Sequence, residues 1–110
     1  MMNSFVFLIV SIVFEVFATS ALKMSEGFTK VWPTFCVILG YGVAFYFLSL
    51  STKQLPLSFV YAAWSGLGTI LISLVGYFYF KETFDILKII GLFLIILGVV
   101  FMKYSNVQLK

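Results

Sequence analysis

Apolar residues run almost without a break along this chain, and the charged positions fall in short clusters between them. Before Lys23 the single charged side chain is Glu15. No charge occurs from Val31 to Thr52 or from Gln54 to Phe80, and from Ile86 to Met102 Lys88 alone interrupts. A helix needs about 20 mostly apolar residues to cross about 30 Å of hydrocarbon. The pattern therefore predicts four such helices, over about 4–22, 31–51, 56–80 and 84–102. "KMSEGFTK" closes the first, with Gly27 supplying a turn. Pro33 sits in the first turn of the second helix, where its missing N–H costs little. "TKQLP" and "KETFD" are short loops, and Pro56 opens the third helix.

Composition supports the same class. The 110 residues are 63% hydrophobic and 10% charged, whereas a soluble domain carries about 25% charged residues. The expected fold is an all-α membrane protein of one four-helix transmembrane domain, 1–110, in the plasma (cell inner) membrane. The small residues Ala18 to Ala21 could suggest a signal peptide, but no Lys or Arg precedes the first run and an acid interrupts it. Loops this short make consecutive helices antiparallel and put both termini on one side. That side carries Lys53, Lys103 and Lys110, and the other carries Lys23, Lys30, Lys81 and Lys88. Lysine excess normally fixes orientation. Here it is nearly balanced, so insertion either way up, and with it an antiparallel pair, is open. Cys36 is the lone cysteine and there is no histidine, which points away from a metal site, from haem and from an intrachain disulfide. No nucleotide-binding motif or nucleic-acid signal is present, so neither ATP nor another cofactor is expected.

Glu15 is the residue that asks for a function. An acid at the centre of a membrane helix costs roughly 2.5–3.5 kcal/mol on insertion scales, and leaving water disfavours the charged form of a carboxyl. A carboxyl there can hold a proton or release it to pair with a cation. Ser11 and Thr19 lie four residues either side of Glu15 and Ala18 three after it, so the four share one small, polar helix face. The plainer alternative is a structural hydrogen-bonder between helices.

In "VYAAWSGLG", Tyr61, Trp64 and Gly68 fall at i, i+3 and i+7, on one face of the third helix. Aromatic faces attract cations, more strongly once water is excluded. Tyr41 and Phe45 form another aromatic face on the second helix. With 20% aromatic residues, packing is the ordinary explanation of any one ring, but Tyr61 and Trp64 sit mid-segment, away from the interfacial belts. Gly66 and Gly68 allow either a bend or close helix packing. Gly91 and Gly98 share a face of the fourth helix that could admit a partner helix.

Taken together, "FEVFATSALKMSEGFTKVWP", "LPLSFVYAAWSGLG" and the helix-4 glycine pair resemble the small multidrug resistance family of four-helix exporters, over nearly the whole chain. The resemblance implies an antiparallel dual-topology dimer. It implies that Glu15 alternately binds protons and substrate, and that Tyr61, Trp64 and Tyr41 line the same cavity. It gives Ser65 a hydrogen bond near the acid, Gly66 and Gly68 a helix bend, and Gly91 and Gly98 the dimer contact. Guanidinium exporters of the family usually carry Trp three residues after the acid. Ala18 stands there, which places the chain with the drug branch, although that branch often has Gly.

The expected activity is proton-coupled antiport of lipophilic or quaternary ammonium cations by a dimer in the lipid bilayer. The expected dimer is a homodimer, with a heterodimer with a paralogue open. A guanidinium or polyamine exporter of the same family is one alternative. A non-transporting membrane assembly subunit is the alternative of another class.

Overall fold

The computed structural model describes residues 2–105, so Lys110 lies outside the described residues. Four helices follow one another: α1 (Met2–Met24), α2 (Val31–Ser51), α3 (Leu57–Phe78) and α4 (Ile86–Lys103). Each is long and apolar enough to cross a membrane. The third and fourth differ from the sequence expectation where the chain leaves α3. That helix stops at Phe78, and α4 starts at Ile86 because Asp85 caps it, its carboxylate accepting the Lys88 N–H at 2.9 Å. An N-cap acid satisfies one of the donors that a helix start leaves unpaired. Before the cap, Lys81 turns into the left-handed region at φ 63°, which ends any helical continuation.

The first loop is a tighter device. Glu26, Gly27 and Phe28 take φ values of 48°, 74° and 66° in succession, a conformation that Gly27 adopts at no steric cost. Ser25 anchors it from inside: its buried hydroxyl donates to the Leu22 carbonyl at 2.7 Å and accepts the Phe28 N–H at 3.1 Å.

α1 packs most extensively against α2 and also against α3, while α4 leans on α3. Small residues make the α1–α2 seam. Ser11, Ala18 and Ala44 have no exposed surface, and the Ser11 hydroxyl donates to the Ala44 carbonyl at 2.7 Å. Gly40 faces Ala18 so closely that an added Cβ would lie 2.9 Å from the Ala18 Cβ. Without a hydrophobic driving force between helices in lipid, such close backbone approach and interhelical hydrogen bonding hold spans together. An apolar cluster of Leu8 and Ile12 of α1, Leu55 of the second loop, and Phe59, Val60 and Ala63 of α3 fills the end nearer the termini. α4 has no buried residue; its large apolar side chains stand at the surface, as a lipid-facing or partner-facing helix requires.

Candidate functional site

The carboxylate of Glu15 is held on one oxygen and bare on the other. The Thr19 hydroxyl, one turn on, donates to Glu15 Oε2 at 2.8 Å. The same hydroxyl is 2.5 Å from the Tyr41 hydroxyl of α2. A hydroxyl carries one proton; with that of Thr19 given to the carboxylate, Tyr41 is the donor in the second bond. Were Glu15 to gain a proton of its own, both bonds could reverse, so the pair of hydroxyls follows the charge on the acid.

Glu15 Oε1 is buried and has no hydrogen-bond partner among the described residues. It lies in the notch left by Gly68: a Cβ built on that glycine would meet Oε1. The Trp64 indole Nε1 is likewise buried without a partner. Buried polar atoms are almost always paired, and an orphan costs about 1–3 kcal/mol. One acceptor on α1 and one donor on α3 are thus left without a partner among the described residues.

Four rings continue the site from α2 to α3. Tyr41 and Phe45 stack with centroids 6.0 Å apart, Phe45 meets Trp64 at 5.8 Å, and Trp64 stacks on Tyr61 at 6.4 Å. These separations suit offset ring contacts, and the ring faces offer a cation a broad surface of negative potential. Tyr61, at the outer end, is exposed.

This is an acid beside an aromatic ladder inside a four-span bundle, and the sequence comparisons agree on what such a chain is. The model of the Small Multidrug Resistance protein family matches residues 3–95. The chain belongs to that family. Among curated relatives of this family member, the quaternary ammonium compound-resistance protein QacE of Escherichia coli is 50% identical over 99 residues, covering 90% of each chain. QacG of Staphylococcus sp. (strain ST94), of the same description, is 47% identical over 99 residues, 90% of this chain and 92% of its own. The multidrug resistance protein EbrB of Bacillus subtilis (strain 168) is 47% identical over 105 residues, 96% of this chain and 90% of its own. This small multidrug resistance protein is thus a multi-pass membrane transporter, not an enzyme.

Not every residue singled out from the sequence stands at the carboxylate of this family member. Glu15, Thr19, Tyr41 and Gly68 are brought together, while Trp64 is reached from Tyr41 through Phe45, and Tyr61 joins through Trp64. Ser11 and Ala18 are turned instead into the α1–α2 seam. They are seven residues apart, so they fall on one line along the helix, to the side of Glu15 opposite Thr19. Ala18 is small because Gly40 lies against it, not to widen a cavity in this protomer. Ser65 is not at the acid either. Its hydroxyl donates to the Tyr61 carbonyl of its own helix at 2.8 Å, and it lines a groove between α3 and α4 with Gly66 and Gly98.

The paired glycines of α3 face opposite neighbours. Gly68 meets Glu15, and a Cβ on Gly66 would lie 2.9 Å from Ile95 Cγ2 and 3.0 Å from Val99 Cγ2 of α4. Close approach accounts for both, and α3 is uninterrupted through them. Gly91 and Gly98 have no atom within 4 Å of the position a Cβ would take. Phe45 is the ring that the sequence left out of the site. Its i, i+4 relation to Tyr41 was the available signal, diluted by the chain's many other phenylalanines.

Proposed function

We propose that this protein exports lipophilic and quaternary ammonium cations in exchange for protons, with Glu15 as the group for which both compete. The observation that carries the reading is the half-satisfied carboxylate: Oε2 anchored by Thr19, whose hydroxyl also meets Tyr41 at the head of the ring ladder, and Oε1 buried and unpartnered in the notch at Gly68. A proton can bond to that oxygen, or an organic cation can lie against the charge it carries, and the rings favour a cation that is broad and weakly hydrated. The names of the relatives, quaternary ammonium compound-resistance and multidrug resistance proteins, support that substrate class.

The working unit in this proposal is an antiparallel dimer in which two Glu15 carboxyls share one chamber. The open face of α4, with Gly91 and Gly98 clear of any neighbour, and the near-even division of lysines between the two sides support it. A cation entering from the cytoplasmic side displaces protons from the paired acids, the dimer exchanges its open side, and protons from outside displace the cation. The Thr19 and Tyr41 hydroxyls reverse their bonds as the acid changes charge, so the anchored oxygen keeps a partner in both states. A charge crossing 100 mV is worth about 2.3 kcal/mol; two protons entering for one monovalent cation would therefore draw on the membrane voltage as well as on the pH difference.

Reconstituted vesicles test this. Glu15→Gln keeps the shape of the side chain and removes its charge, and it is expected to abolish tetraphenylphosphonium uptake driven by a pH gradient. Undiminished uptake would overturn the mechanism. Guanidinium in competition with tetraphenylphosphonium gives the branch: the drug-exporter reading requires the bulky ion to bind in preference.

A further inference from the structure

Away from Glu15, two openings adjoin at the loop end of α1 and α3. The outer one, about 550 Å³, is bordered by Lys23, Glu26, Lys30, Tyr79 and Phe80. The inner one, about 480 Å³, is an apolar groove between α1 and α3 along Leu74, Val75 and Phe78. Met24 and Tyr79 border both, so the polar opening and the apolar one adjoin. Ser20 also lines the groove, but its hydroxyl is spent on the Val16 carbonyl at 2.8 Å.

The charges in the outer opening do not cancel. Lys30 pairs with Glu26 at 2.9 Å. Lys23 pairs with no acid among the described residues, and its ammonium rests over the Phe80 ring, 5.4 Å from the centroid. One cation is left facing the opening. The level in the bilayer is set by the ends of α1 and α3 and by the exposed rings of Trp32, Phe78 and Tyr79 around them, the arrangement of an aromatic belt at the membrane–water interface.

We propose that this is a binding site for an anionic phospholipid, its phosphate against Lys23 and one acyl chain in the α1–α3 groove. The combination decides the occupant. A free anion would answer the ammonium and leave the groove bare, and a neutral hydrocarbon would fill the groove and leave the ammonium unanswered. A molecule with a negative head at the interface and a chain below it answers both. Glu15 borders neither opening.

Native mass spectrometry of the full-length protein, released from micelles holding equal amounts of palmitoyl-oleoyl phosphatidylglycerol and phosphatidylcholine, tests it. The unmodified chain is expected to retain phosphatidylglycerol over phosphatidylcholine. Lys23→Gln should lower that retention about fivefold, the worth of one lysine near an anionic surface. Ser20→Phe, which narrows the groove, should lower it too, and Lys53→Gln in the opposite loop should leave it as it was. Equal retention of the two lipids by the unmodified chain would overturn the proposal. So would Lys23→Gln keeping as much phosphatidylglycerol as its parent, or inorganic phosphate displacing the lipid.

Discussion

At the scale of single residues, the proposed exchange rests on how one carboxylate is held. Glu15 takes a hydrogen bond from Thr19, which takes one from Tyr41, and the missing side chain of Gly68 leaves room for the other oxygen. The Tyr41 hydroxyl matters only through Thr19, while its ring belongs to the ladder. Tyr41→Phe separates the two roles, because the stack on Phe45 survives. Tetraphenylphosphonium binding, followed by equilibrium dialysis in detergent, is expected to weaken about threefold to tenfold, the net worth of one neutral hydrogen bond. An unchanged affinity would remove the hydroxyl pair from the mechanism.

Between elements, close approach at small residues does what a large hydrophobic core does in a soluble domain. The contrast between two glycines of α2 makes this measurable. A Cβ on Gly40 would lie 2.9 Å from the Ala18 Cβ and 3.3 Å from the Ala18 Cα, whereas one on Gly42 would have nothing within 4 Å. Gly40→Ala must push α1 and α2 apart and is expected to destabilise the protein by about 1–3 kcal/mol, as overpacking does. Gly42→Ala should be neutral or mildly stabilising, since Ala is the better helix former. Thermal unfolding in detergent, with both variants side by side, checks the pair. Equal midpoints would mean that the α1–α2 seam yields freely.

For the whole molecule, the unfinished part is α4. It packs on α3 alone among the principal helix contacts, has no buried residue, and presents Gly91 and Gly98 to open space. Lipid accounts for its apolar side chains, and the proposed dimer accounts for the two glycines among them. Gly98→Leu should leave the helix content of the chain unchanged in circular dichroism, because its Cβ meets nothing within 4 Å and the rest of the side chain has the open α3–α4 groove to occupy. Self-association, read by light scattering in detergent, should fall at least about fivefold, by the same overpacking cost. A dimer of undiminished strength would place the contact elsewhere.

The class of the protein was legible without coordinates, and so was the acid proposed for exchange, because both follow from counting charges. Four uncharged or nearly uncharged runs can only be satisfied as helices in hydrocarbon, where the backbone has no water to bond to. A lone Glu inside the first run stands out in any arrangement of the others. Periodicity also grouped Tyr61, Trp64 and Gly68 correctly on one face. What periodicity could not do was choose the neighbour for each face. Ser11, Ala18 and Thr19 share a stripe with Glu15, yet helix crossing sends the first two to α2 and keeps Thr19 at the acid. Ser65 is next to Trp64 in sequence and still turns toward α4. Phe45 became part of the ladder only when α2 came beside α3. A helical repeat fixes the angle at which a side chain leaves its own axis. The partner it meets depends on where the other axes lie, and that is settled by packing over the whole bundle.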